Sequence, residues 1–152
     1  MPFADVLYAC DEKWWDKYHD TITIPAQRWT QDIDAKRKYG INWILGSSQK
    51  GLGYDRVHFG GSSGYQAINL AFLWGATRIV LLGFDCKPVA GKDHWFGQHP
   101  QGLTQVQPYN LWLERYPQLA YDLKREGVEV INCSRDTALT CFERATIETV
   151  TD

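Results

Sequence analysis

An α/β fold, with a mostly parallel sheet and helices on both of its faces, is what this sequence predicts. Three observations carry that reading. Short apolar runs alternate with amphipathic helical stretches along the chain. Residues 78–84 are almost wholly apolar, as a parallel strand covered on both sides should be. Gly60-Gly61-Ser62-Ser63-Gly64 passes from a short strand straight into a helix. The 152 residues suit one domain spanning 1–152 and are too few for two ordinary ones.

The elements follow in order. Residues 5–10 read as a short apolar strand. Asp11 is a candidate cap for a helix that carries Trp14, Trp15 and Tyr18 near one face. The stretch 21–38 is ambiguous: Pro25 limits any helix, and 27–30 fits a strand. Residues 42–45 read as another strand or edge, and the Gly- and Ser-rich 46–55 as a mobile loop. Residues 57–59 form a short strand feeding the glycine turn. The clearest helix is 62–74, with Tyr65, Ile68, Asn69, Phe72 and Leu73 along one stripe.

The strand 79–82 is expected to be central and fully buried, in one sheet with 6–9 and 128–131. A long polar loop, 85–106, follows it; loops of that length in compact domains are often functional. A second helix covers 108–126 and is closed by Gly127. Residues 128–132 form a strand, 137–142 a short helical turn, and the last ten residues a tail or edge.

Composition narrows the function. Net charge is −2, from 16 basic and 18 acidic residues, which gives no electrostatic footprint for nucleic acid. No apolar run approaches a membrane span, and the N-terminus lacks a signal-like pattern, so a cytoplasmic location is expected. The four cysteines show neither a CxxC pair nor zinc spacing and read as reduced, buried thiols. Seven Trp in so short a chain suggest that some line a cleft or a subunit interface.

Polar residues collect just after the strands: Asp11, then Gly60, Gly61, Ser62, Ser63 and Gly64, then Asp85, then Asn132 and Ser134. In a parallel sheet these strand ends share one edge, so the four segments converge on one crevice. The unpaired N–H groups of a helix start there suit a phosphate. Each piece also has a plain structural reading. The glycine stretch matches neither the P-loop nor the GxGxxG spacing, and a tight turn capped by Ser62 or Ser63 fits it equally. Asp11 alone fits an N-cap better than a ligand. Asp85 can cap a turn or pair with Arg78 or Lys87, though its place after an apolar strand favours a site. Asn132 and Ser134 can make a local turn. His94 and His99, five residues apart in a glycine-containing loop, can hold phosphate, move protons, bind a metal, though their spacing matches no standard zinc pattern, or simply satisfy loop carbonyls.

Taken together, Asp11-x-x-Trp14-Trp15, the 60–71 stretch, Gly75 through Asp85, His94-Trp95-Phe96-Gly97-Gln98-His99-Pro100 and Val130-Ile131-Asn132-Cys133-Ser134 resemble the 6-hydroxymethylpterin diphosphokinase-like (MptE-like) superfamily. The resemblance is strongest to its small phage and prophage proteins, and more distant to bacterial sialyltransferases. It implies a Rossmann-like fold with a nucleotide or phosphate near Ser62, Ser63 and Gly64 and Asp85 beside it. It makes His94 and His99, with Asp85, candidates for the reacting end. Relatives begin with a further strand and a Gly-Pro-Ser loop, so the expected fold lacks their first βα unit.

Two classes of function follow. In one, the protein is a nucleotide-dependent diphosphoryl- or glycosyl-transferase that takes a nucleotide or nucleotide-sugar, with Mg²⁺ held by Asp85 and Asp11. In the other, it is a phage structural or interaction protein that keeps the fold without the chemistry, in the host cytoplasm or the virion. Either way, a homo-oligomer or a phage protein partner is expected to bury some of Trp14, Trp15, Trp29 and Trp43.

Overall fold

The computed structural model describes residues 3–93, 99–103 and 107–150, and the fold is α/β. Eight strands are defined: β1 (Val6–Tyr8), β2 (Gln27–Thr30), β3 (Asn42–Trp43), β4 (Gly46–Ser47), β5 (Val57–His58), β6 (Arg78–Leu81), β7 (Glu129–Asn132) and β8 (Glu143–Arg144). The helices are α1 (Glu12–Tyr18), α2 (Ile33–Tyr39), α3 (Ser63–Leu73) and α4 (Tyr109–Arg125). Every ladder between these strands is parallel, in the groups β1-β2-β3, β4-β5 and β6-β7-β8. That is consistent with a Rossmann-like arrangement: α1, α2 and α4 make the crossovers between β1 and β2, β2 and β3, and β6 and β7, while α3 carries the chain from β5 to β6.

Helix boundaries follow local chemistry. Ser62 stands in extended conformation before α3 and its Oγ accepts the Tyr65 N–H at 3.2 Å. Asp32 caps α2 in the same way, accepting from Asp34 and Ala35. The ambiguous stretch 21–38 thus divides into β2 and most of α2, which lies well beyond Pro25; Gly40, at φ +62, closes the helix. Helix α4 runs through Pro117, which lacks an N–H and so leaves one turn of the helix without its bond.

Two apolar clusters form the core. One gathers Tyr65, Ile68, Leu81, Tyr116, Leu119, Leu123 and Val130 between α3, α4 and the β6–β7 ladder. The other packs Ala9, Trp15, Ala35 and Ile41 between α1, α2 and the first sheet. Tyr8 Oη donates to Gln66 Oε1 at 2.5 Å, which ties β1 to α3.

Several expectations are corrected. Strand β6 is not central: among the described residues it lies at the edge of its sheet, pairs with β7 only, and does not join β1 in one ladder. Only Leu81 of β6 is buried, while Val80 is 36% and Leu82 60% exposed. The parallel ladder leaves the outer side of Val80 open, and an Arg78–Glu129 ion pair of 2.8 Å sits at its exposed end. The loop 46–55 is not a free segment. It contains β4, and Gly51, Leu52 and Gly53 are buried. The Asn69 side chain holds it: Oδ1 accepts from Gly53 N at 2.9 Å and His58 N at 3.0 Å, while Nδ2 donates to Gly53 O at 2.9 Å. Residues 137–142 form bends rather than a helical turn, and lead into β8. Trp15 is wholly buried within the chain, so it cannot serve an interface.

Candidate functional site

A cavity of about 750 Å³ opens where β1, β5 and β6 give way to the segments that follow them. Ligand pockets typically measure roughly 300 to 1,000 Å³. Asp11, Gly61, Ser62, Ser63, Gly64, Asp85 and His99 all line it. Gly60, Asn132 and Ser134 do not. His94 lies outside the described residues.

The glycine turn is built for close approach. Gly60 has φ +55, and a Cβ there would overlap the Tyr65 ring. Gly61 has φ +88, and Trp112 and the Arg115 guanidinium sit against it. From this turn the chain enters α3, an 11-residue helix. Its first amides, Ser63 N and Gly64 N, have no hydrogen-bond partner among the described residues. Both residues stand at the cavity wall, where the positive end of the helix dipole lies. Ser63 Oγ is 3.1 Å from Cys10 Sγ, which joins the end of β1 to the start of α3.

Asp11 precedes α1 but its side chain makes no capping bond. Asp32 does that work instead: its Oδ2 accepts the Glu12 N–H at 3.1 Å. The Asp11 carboxylate is left exposed at the cavity, with the Cys10 thiol 3.4 Å away. Asp85 makes no side-chain hydrogen bond or ion pair with a described residue. Its backbone is clamped from behind. Phe84 N donates to Ser134 Oγ at 2.7 Å, Thr137 Oγ1 donates to Phe84 O at 2.6 Å, and Ala138 N donates to Asp85 O at 2.8 Å. Asn132 Oδ1 in turn accepts the Ser134 N–H at 3.0 Å. Asn132 and Ser134 are therefore buried supports of the Asp85 corner rather than cavity-lining groups. Immediately after Asp85, Cys86 takes φ +51, a strained turn for a side-chain-bearing residue.

Charge is uneven. Asp11, Glu12, Asp32, Asp85 and Asp93 line the cavity, against Lys13 and Lys87. Lys87 is already paired with Asp136 at 2.5 Å. Among the described residues, no group of three or more His, Cys, Asp or Glu is arranged to hold a metal ion. Burial pushes the Cys10 and Cys86 thiols up to about 11, so neither is a thiolate nucleophile at neutral pH.

Aromatic side chains close the remaining wall. Trp112 Nε1 donates to Gly61 O at 2.7 Å, and Tyr109 packs edge-on against Trp112 at 5.3 Å. Sequence reasoning missed Asp32, Trp112, Tyr109 and Arg115. The Asp before the 33–39 stretch was a legible N-cap signal. The others sit on a helix whose registration against the glycine turn is a tertiary fact.

Among the described residues no helix is long and apolar enough to cross a membrane. The fold and site together describe an α/β protein with a strand-end cavity. No protein-family model, no curated protein and no solved structure matches the chain.

Proposed function

We propose that the strand-end cavity binds a phosphate-bearing ligand of the nucleotide class, and that the protein is a nucleotide-dependent diphosphoryl- or glycosyl-transferase. One observation carries the proposal. The amides of Ser63 and Gly64, at the start of α3, share a cavity with the carboxylate of Asp85, and none of these groups has a partner among the described residues. Such a helix start binds phosphate oxygens. The resemblance to the pterin diphosphokinase-like superfamily points to the same residues.

The acid excess bears on the cofactor. A bare phosphate would be repelled by the carboxylates around it, so a ligand carrying its own cation is favoured. Hard carboxylate oxygens suit Mg²⁺, which commonly takes one or two carboxylates, substrate phosphates and water. Asp85 and Asp11 are the residues that would hold it, and bound Mg²⁺ would offset phosphate charge. The chain's own contribution is positioning: the α3 amides orient the phosphate, and the buried Ser134–Asn132 support fixes Asp85. His99 lines the same cavity and is the residue that would take the proton of an acceptor hydroxyl.

An interaction protein without chemistry is the second reading. The open edge of β6, with Val80 and Leu82 exposed, favours it.

Calorimetry with nucleoside mono-, di- and triphosphates and nucleotide-sugars, with Mg²⁺, tests the first reading. Ser63→Asp puts a negative charge where the phosphate would rest and should abolish binding. Equal affinity in the native protein and this variant removes the site.

A further inference from the structure

We propose that Trp112 is the platform on which the aromatic ring of the ligand stacks, so that the cavity selects nucleotides over simple phosphates and sugar phosphates. This rests on the phosphate site proposed above and adds the group that recognises the other end of the ligand.

The wall beside the glycine turn has little hydrogen bonding left to offer. The Trp112 N–H is committed to Gly61 O at 2.7 Å. The Tyr109 hydroxyl donates to Asp93, 3.1 Å from Oδ1. What these two residues can present to a ligand is therefore ring surface. Both line the cavity and both remain partly exposed.

The indole is also held in advance. Its N–H is fixed on the turn, and Tyr109 packs against it with the rings at 83°. A side chain ordered before binding loses little entropy when a ring settles on it. Every nucleobase has a π-face, so an indole platform recognises the class without demanding one base. Gln107, which precedes α4 and lines the same cavity, makes no side-chain hydrogen bond with a described residue and supplies an amide for the ring's polar edge.

Among the described residues, Trp14 is the other indole that lines the cavity. It is the weaker candidate, because it packs between Trp15 at 5.1 Å and Tyr18 at 5.0 Å on its own helix. Trp112, by contrast, sits against the glycine turn: its Cδ1 would lie 3.3 Å from a Cβ on Gly61.

The test compares pyrophosphate with ADP, GDP, CDP and UDP by calorimetry in Mg²⁺, on the native protein, Trp112→Phe and Trp112→Leu. Pyrophosphate senses the turn and α3 alone. At least one nucleoside diphosphate should bind about ten-fold or more tighter than pyrophosphate, the scale of one stacked base. Trp112→Leu should remove that advantage, read in each variant as the ratio of nucleoside diphosphate to pyrophosphate affinity; Trp112→Phe, which keeps a ring and loses the N–H, should retain most of it. An unchanged ratio in Trp112→Leu, or nucleoside diphosphates that bind no better than pyrophosphate to the native protein, overturns the platform and leaves the phosphate site standing. If neither pyrophosphate nor any nucleotide binds the native protein, the phosphate site falls and the platform with it.

Discussion

The carboxylate of Asp32 accepts the backbone N–H of Glu12 at 3.1 Å while its other oxygen caps α2. One acid thus joins the starts of α1 and α2 beside the cavity. Removing it strips an N-cap from each. Asp32→Ala should lower stability by about 2 kcal/mol, since each cap contributes roughly 0.5 to 2. Asp32→Asn should cost about half as much: its oxygen can still cap α2, but its amide meets the Glu12 N–H donor to donor. Urea denaturation checks both, and a loss below about 0.5 kcal/mol in Asp32→Ala would show that the double cap is idle.

Asn69 is expected to be among the costliest single positions. It is fully buried, and its side chain makes three bonds that anchor Gly53 and His58. Asn69→Ala strands those backbone groups, at about 1 to 3 kcal/mol for each left unsatisfied. Asn69→Asp keeps the acceptor but buries a charge and loses the donor, so it should be no milder. Thermal denaturation of both variants, with limited proteolysis at 46–55, reads the effect. Native-like melting of either would contradict it.

Asp85 offers a cleaner functional probe, because its side chain supports nothing in the fold among the described residues. Asp85→Asn should leave stability within about 0.5 kcal/mol. It should weaken nucleotide binding measured with Mg²⁺ more than binding measured in EDTA. Equal losses in both buffers would separate Asp85 from any cation.

The thiols set an alkaline limit. Burial raises Cys10 and Cys86 from an ordinary value of 9.0 to about 11. The folded state therefore holds these protons more tightly than the unfolded chain does. Their contribution to stability is complete below pH 9.0 and is lost as pH rises to about 11. Stability measured by urea across that window should fall, and alkylation of the native protein should be slow at pH 8 and accelerate towards pH 11. Rapid labelling of Cys10 at pH 7 would show the thiol to be less protected than its contacts indicate.

Local signals carried much of the fold. The strand–turn–helix passage through Ser62, the apolar stripe of α3 and the strand ending at Asn132 were all legible, because cap chemistry and periodicity act within a few residues, while 21–38 read as ambiguous between helix and strand. The gathering of Asp11, Ser63 and Asp85 at one cavity was also legible from their places just after strands, although β1, β5 and β6 belong to three separate ladders rather than one sheet. Other features depended on partners distant in sequence. The apolar run at β6 looks the same whether its neighbours are one strand or two. Asn69 sat on an apolar stripe, and nothing local distinguished a surface amide from one that pins a loop 16 residues away. Asn132 and Ser134 follow a strand as site residues do, yet they turn inward to hold Phe84. Trp112 reaches Gly61 across 51 positions, beyond any sequence window.

The all-parallel ladders also bear on how the chain comes into being. No strand can close a hairpin with its immediate neighbour, so each ladder waits for a crossover. Strand β6 waits longest: Arg78 pairs with Glu129, some fifty residues further along. At ribosomal rates of about 5 to 20 residues per second, β6 stands without its ladder for several seconds. Throughout that interval Val80 and Leu82, still exposed in the finished protein, lie on a strand bare along both sides. The nascent chain is then most open to chaperone capture or to sticking to its neighbours on the same messenger. Glu129, arriving with the partner strand, ends that exposure on one side only.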